Sequence, residues 1–181
     1  WGNLDYLIID FPPGTSDEPL TVAQNLPDID GMVIVTTPQD VALLDSRKSI
    51  TFANSLKVDV IGIIENMSGY AINGKASAGT ELEIAGPGGK THKATADDNG
   101  DWSVTLDIFK SGGGEKTATE FNVPFLGKLP FDPGFVRGGD DGVHRIVSEP
   151  EGASSQAFSS VVSRIQNFVE TEDTNGGLEI I

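Results

Sequence analysis

The sequence predicts an α/β fold with a mainly parallel sheet. Short apolar runs at 4–9 (LDYLII), 32–36 (MVIVT), 58–64 (VDVIGII) and 125–129 (FLGKL) are continuous rather than alternating, as in strands covered on both faces. Segments with helical spacing lie at 17–26, 40–56 and 152–169, and strand alternating with helix is the pattern of a sheet with crossover helices. A chain of 181 residues is long enough to bury one sizeable core.

The helix at 40–56 follows TTPQD, which places Asp40 as its cap. Phe158, Val161, Val162, Ile165, Phe168 and Val169 fall on one face of the helix at 152–169, so that helix is expected to dock on the sheet. Residues 171–181, TEDTNGGLEII, are polar, acidic and glycine-containing and read as a flexible tail.

Residues 71–106 break this rhythm. TELEIA and DWSVTL alternate apolar with polar residues, and GPGG and DDNGD punctuate them as turns. The segment reads as β-hairpin structure inserted between 1–70 and 107–170, and its DDNGDWSVTL ending is similar to part of a bacterial immunoglobulin-like repeat. Trp102 is expected to pack into a small local core there rather than stand exposed on an edge.

Twenty-seven Asp and Glu against 12 Lys and Arg give a net charge of -15. That balance repels phosphate backbones and anionic lipid, which argues against nucleic acid and membrane surfaces as partners. No apolar run is long enough to span a bilayer, so a cytoplasmic location is expected. With no cysteine, the chain can offer neither a disulfide nor a thiolate ligand to a metal or an iron-sulfur cluster. His92 and His144 are far apart in sequence and lack companion ligands.

The stretch DYLIIDFPPGTSDEP (5–19) is the most informative. Its apolar run ends in Asp10, and in open α/β sheets the ligand crevice lies beyond the carboxyl ends of the strands. An acid there can hold Mg²⁺ directly or through water, while Gly14 of the following PPGT lets a backbone N–H approach a phosphate.

Taken in order and spacing, DYLIIDFPPGTSDEP, IVTTPQDVALLDSRKS, GIIENMSG, FKSGGGEKTATEFNVPFLGKLPFDP and the final helix resemble the Mrp (Nbp, ApbC) family of ATP-binding iron-sulfur cluster carriers. The resemblance covers nearly all of 1–70 and 107–170, and it implies a Rossmann-like parallel sheet of the deviant P-loop NTPase type, truncated at its N-terminus. It also implies ATP and Mg²⁺ as cofactors, a [4Fe-4S] cluster as cargo, a homodimer, and iron-sulfur recipient apoproteins as partners. By the same resemblance Asp10 is the catalytic acid that supports Mg²⁺, and Gly14 and Thr15 face the γ-phosphate. Asn66 reads the adenine edge, and Pro130 and Asp132 of LPFDP line the base. An amide suits that role because it offers one donor and one acceptor.

Two glycine-lysine stretches imitate a phosphate loop, which needs G-x-x-x-x-G-K-[S/T] between a strand and a helix. In KSGGGEKT (110–117), Glu115 replaces the glycine before the lysine, and a carboxylate there repels phosphate. In IAGPGGKT (84–91), Ile84 replaces the first glycine and the surroundings read as a hairpin. Neither is expected to be a phosphate loop. In the family that loop precedes the strand on which this chain opens, and the family's Cys-x-x-Cys pair follows ENMSG, where this chain has YAINGK. The expectation is a hydrolase fold that is inactive as this chain alone, with weak or no nucleotide binding and no cluster binding. The alternative is a non-enzymatic scaffold displaying the inserted β segment. A MinD-like positioning ATPase is disfavoured, because that branch ends in a basic amphipathic helix and this one in a neutral to acidic one.

Overall fold

A computed structural model describes residues 2–12, 17–26 and 28–175, with side chains through 171. Its centre is a three-stranded parallel sheet in the order β1-β2-β7, built from Met32–Thr36, Val60–Glu65 and Phe125–Lys128. All six residues of β2 are buried, as a central strand covered on both faces must be.

α2 (Asp40–Leu56) and α3 (Gly113–Phe121) cover one face, where Ile34, Ile50, Ala53, Val60, Ile63 and Ala118 form one core cluster. α6 (Ala153–Asn175) covers the other, where Val161 meets Ile61, Ile64 and Leu126. Burial of aliphatic side chains on this scale, at about 1.5–3 kcal/mol each, is what holds such a sheet together.

Strict alternation would place Ile61 and Ile63 on the same face, yet they belong to opposite clusters. A bulge resolves this: the pairing steps from Met32↔Val60 to Val33↔Gly62, with Gly62 at φ +155°. A Cβ at Gly62 would lie 2.7 Å from both Leu126 Cγ and the Pro124 carbonyl. A matching irregularity falls at Gly127, φ +150°, between the pairs Ile63↔Phe125 and Ile64↔Gly127.

Residues 4–9, expected as a strand, form none: they are irregular and exposed, with Ile8 90% accessible. A strand needs a ladder partner, and among the described residues none pairs with this run, while β1 has a neighbour on one side only. The remaining strand runs fall within two residues of expectation. α1 (Asp17–Asn25) and α2 match their expected spans. Asp40 is not the cap, however: Gln39 takes the N-cap position, and the Asp40 carboxylate reaches Lys110 instead. α6 continues through Asn175, past the expected start of the tail at 171, and 176–181 lie outside the described residues.

The 71–106 region forms two antiparallel ladders, β3 (Tyr70–Lys75) with β6 (Asp101–Leu106) and β4 (Glu81–Ala85) with β5 (Thr91–Thr95). Along all four strands more exposed and less exposed residues alternate, so one face is turned inward. Trp102 is half-buried and lies across Gly74, whose place a Cβ could not share, being 2.7 Å from the ring.

Candidate functional site

The carboxyl ends of the three parallel strands meet at one end of the sheet. There β1 runs out into Thr37 and Pro38, β2 into Asn66–Ser68, and β7 into Leu129–Asp132. The turn after β2 is tied to both neighbours. Asn66 N–H donates to Thr36 O (2.7 Å), Leu129 N–H to Glu65 O (2.8 Å) and Ser68 N–H to Leu129 O (2.9 Å). Met67 adopts φ 55°, which turns the chain back.

A cavity of about 240 Å³ opens beside this turn, lined by Asn66, Met67, Leu129–Asp132, Phe135, Val136 and Phe158. The structure thus brings Asn66, Pro130 and Asp132 together in one predominantly apolar pocket, a usual environment for a flat aromatic ligand. Asn66 Oδ1 accepts from Met67 N–H at 2.9 Å, which fixes the amide plane, and among the described residues no acceptor engages its Nδ2. The amide therefore still has two donors and a second oxygen lone pair to offer.

Asp132 does more than line the wall. It is the N-cap of α4 (Pro133–Asp141), accepting from Gly134 N–H at 2.7 Å, and it pairs with Arg145 Nε at 3.3 Å. Burial pushes its carboxyl up, but hydrogen bonds from Gly134 N–H, Ser154 and the Arg145 guanidinium outweigh that and hold it below the ordinary value. Arg145 also bonds Glu149, and despite the cost of desolvation these two acids raise its pKa. Neither α4 nor the short α5 (Arg145–Ser148) was foreseen in the glycine-rich sequence 133–148, although DPG at 132–134 carries an N-cap and N1 proline signal.

Asp10 is placed differently from its expected position. It is exposed, on the irregular segment rather than at a strand end, and does not line the cavity. Gly14 and Thr15 lie outside the described residues. Among the described residues no cluster of three or more His, Cys, Asp or Glu is arranged to hold a metal ion. Mg²⁺ bound together with nucleotide phosphates takes one or two carboxylates, the part that Asp10 would supply.

Neither phosphate-loop imitation is a phosphate cradle. IAGPGGKT is the end and turn of the β4–β5 hairpin. KSGGGEKT does open a helix, but two of its amides are already taken: Gly112 N–H and Gly114 N–H donate to the Glu65 carboxyl at 2.9 and 2.7 Å. Glu115 points away to Lys128, 3.1 Å distant. Lys110 bonds Asp40 and depresses its pKa, tying this loop to the start of α2. Sequence reasoning missed Glu65, an acid at the end of an otherwise wholly apolar strand, VIGIIE.

Among the described residues no helix is long and apolar enough to cross a membrane.

The family model described as ParA, NUBPL iron-transfer P-loop NTPase, matches residues 1–101 and 98–166. The chain is 41% identical over 170 residues to an iron-sulfur cluster carrier protein of Methanocaldococcus jannaschii, covering 94% of this chain and 49% of that one. It is 37% identical over 176 residues to the cytosolic Fe-S cluster assembly factor NUBP2 homolog of Nematostella vectensis, covering 96% and 55%. The chain thus spans about half the length of the curated relatives it matches. Among solved structures, a nucleotide-binding protein of Archaeoglobus fulgidus in complex with ADP is similar at 32% identity and a TM-score of 0.51, over 78% of this chain and 47% of that one. The septum site-determining protein MinD of Pyrococcus horikoshii, complexed with Mg-ADP, shares the fold at 19% identity and a TM-score of 0.56, over 99% of this chain and 55% of that one. By the family match, which takes in both the sheet and the pocket at its carboxyl end, the chain belongs to the NUBPL iron-transfer P-loop NTPases of the ParA group.

Proposed function

We propose that this chain carries the base-binding portion of a nucleotide-dependent iron-sulfur cluster carrier. The observation that carries the reading is the convergence of Asn66, Pro130 and Asp132 on one apolar cavity at the carboxyl end of a parallel sheet. Asn66 offers its amide edge to the purine, and Leu129–Phe131, Phe135 and Phe158 enclose the ring. Asp132 positions rather than contacts, holding α4 and Arg145 behind the wall.

The intact family machinery would act by positioning and charge stabilisation of the triphosphate. Asp10, Gly14 and Thr15 are the residues we assign to its Mg²⁺ and γ-phosphate side. A base pocket alone forgoes most of that binding energy, so the chain by itself binds nucleotide weakly and hydrolyses it poorly. The cluster is cargo, and with no cysteine this chain supplies no thiolate to it. Homodimerisation and delivery to recipient apoproteins are assigned to the carrier as a whole.

We infer further that 71–106 is an insertion into an ATPase domain made of 1–70 and 107–170. Tyr70 and Leu106 face each other across the β3–β6 ladder, so the segment leaves and re-enters the domain at neighbouring points.

The test is a titration with Mg²⁺ and a fluorescent ATP analogue followed by anisotropy, on the wild-type chain and Asn66→Ala. Weak binding that the substitution abolishes supports the reading. Binding indifferent to Asn66 contradicts it.

A further inference from the structure

Glu65 is the one acidic or basic side chain among the described residues that is buried completely, at 0% exposure. Among those residues no Lys or Arg pairs with it. Its carboxyl instead accepts from Gly112 N–H at 2.9 Å, Gly114 N–H at 2.7 Å and the Ser68 hydroxyl. Burying such a group is costly unless donors surround it, and an apolar replacement would orphan the first amides of α3.

These bonds join two parts of the molecule. On one side stand the glycine loop and the start of α3. On the other is the turn that follows β2, whose Asn66 and Met67 line the cavity and whose Glu65 O and Ser68 N–H bond Leu129 on the opposite wall. The Phe131 N–H donates to Gly69 O at 2.8 Å, extending the same lattice to the next wall residue.

We propose that Glu65 is a positioning residue that locks the Gly112–Gly114 loop and the cavity turn into one unit, so that occupancy of the pocket and the state of the loop are coupled. Because coupling is reciprocal, a ligand in the cavity tightens the loop, and loosening the loop weakens the ligand. The affinity half of this inference rests on the base-binding reading; the mechanical half does not.

The experiment uses the full chain, labelled with ¹⁵N, and the variants Glu65→Gln and Ser68→Ala. The Gln amide keeps the shape but turns an NH₂ toward backbone donors; Ser68→Ala removes one donor and leaves the carboxyl in place. Glu65→Gln is expected to speed exchange of the Gly112 and Gly114 amides about tenfold or more. It should also shift the amides of Leu129, Phe131 and Asp132, remote from it in sequence, while Val161 and Ile165 on α6 stay unchanged. Ser68→Ala shifts the same residues less, and it decides the matter if Glu65→Gln does not fold.

In the wild type, ADP slows exchange at Gly112 and Gly114, and this response is lost in Glu65→Gln, whose ADP affinity falls about tenfold. Faster loop exchange with no shift at Leu129, Phe131 or Asp132 would overturn the proposal and leave Glu65 as an anchor for α3. If ADP fails to bind the wild type, the base-binding reading falls, and the mutational shifts still decide the lock.

Discussion

Arg145 Nε lies 3.3 Å from Asp132 Oδ2, while the other oxygen of the same carboxyl caps α4 through Gly134 N–H at 2.7 Å. One partly buried acid thus fixes the start of α4 and the start of α5 behind the wall of the pocket.

Asp132→Ala should destabilise the chain by about 1–2 kcal/mol through loss of the cap, with the ion pair adding little at its partial exposure. Asp132→Asn, which still caps, should lose less. A carboxyl whose folded pKa lies below its ordinary 3.8 contributes fully above that value and loses its contribution as pH falls through the folded one. Urea midpoints from neutral pH down to the acid limb should therefore converge for wild type and Asp132→Ala only in strong acid.

Gly62→Ala should cost about 1–3 kcal/mol, because its methyl would meet Leu126 Cγ and the Pro124 carbonyl at 2.7 Å. Gly139→Ala, where a methyl would meet nothing within 4 Å, should be close to neutral. Thermal melts of the two variants make the comparison.

Removing 71–106 and joining its flanks with a short glycine-serine linker should leave the parallel sheet folded, since Tyr70 and Leu106 are cross-strand partners. Amide resonances of Ile34, Ile50 and Ile63 should keep their positions. Loss of cooperative unfolding would show instead that the two ladders are integral to the domain, for which the edge-on contact of Tyr70 with Phe131 (5.7 Å between ring centres) would be the natural cause.

What could be read beforehand follows from the range of the forces involved. The runs MVIVT and FLGKL were legible as short, mostly apolar segments, and the helix around Val161 because its apolar residues recur on one face. LDYLII carries the same signal and forms no strand, since pairing is a property of neighbours and not of the run itself. The bulge at Gly62 was illegible for a related reason: VIGII reads as a plain strand, and only the partners show that one residue is extra. At the site, Asn66, Pro130 and Asp132 came from family resemblance rather than from local chemistry. Glu65 had a signal that went unused, an acid closing a buried strand ahead of a glycine-rich helix start that needs an acceptor.

The central claim is that the cavity beside Asn66 receives the nucleotide base. Its most direct test is a map of ¹H-¹⁵N shift changes on adding millimolar ADP to the full chain. Changes concentrated at Asn66, Met67, Phe131, Asp132, Phe135 and Phe158, and abolished in Asn66→Ala, are the predicted result. An unchanged spectrum, or changes centred on 86–92 or 110–117 with the cavity residues silent, would contradict the account.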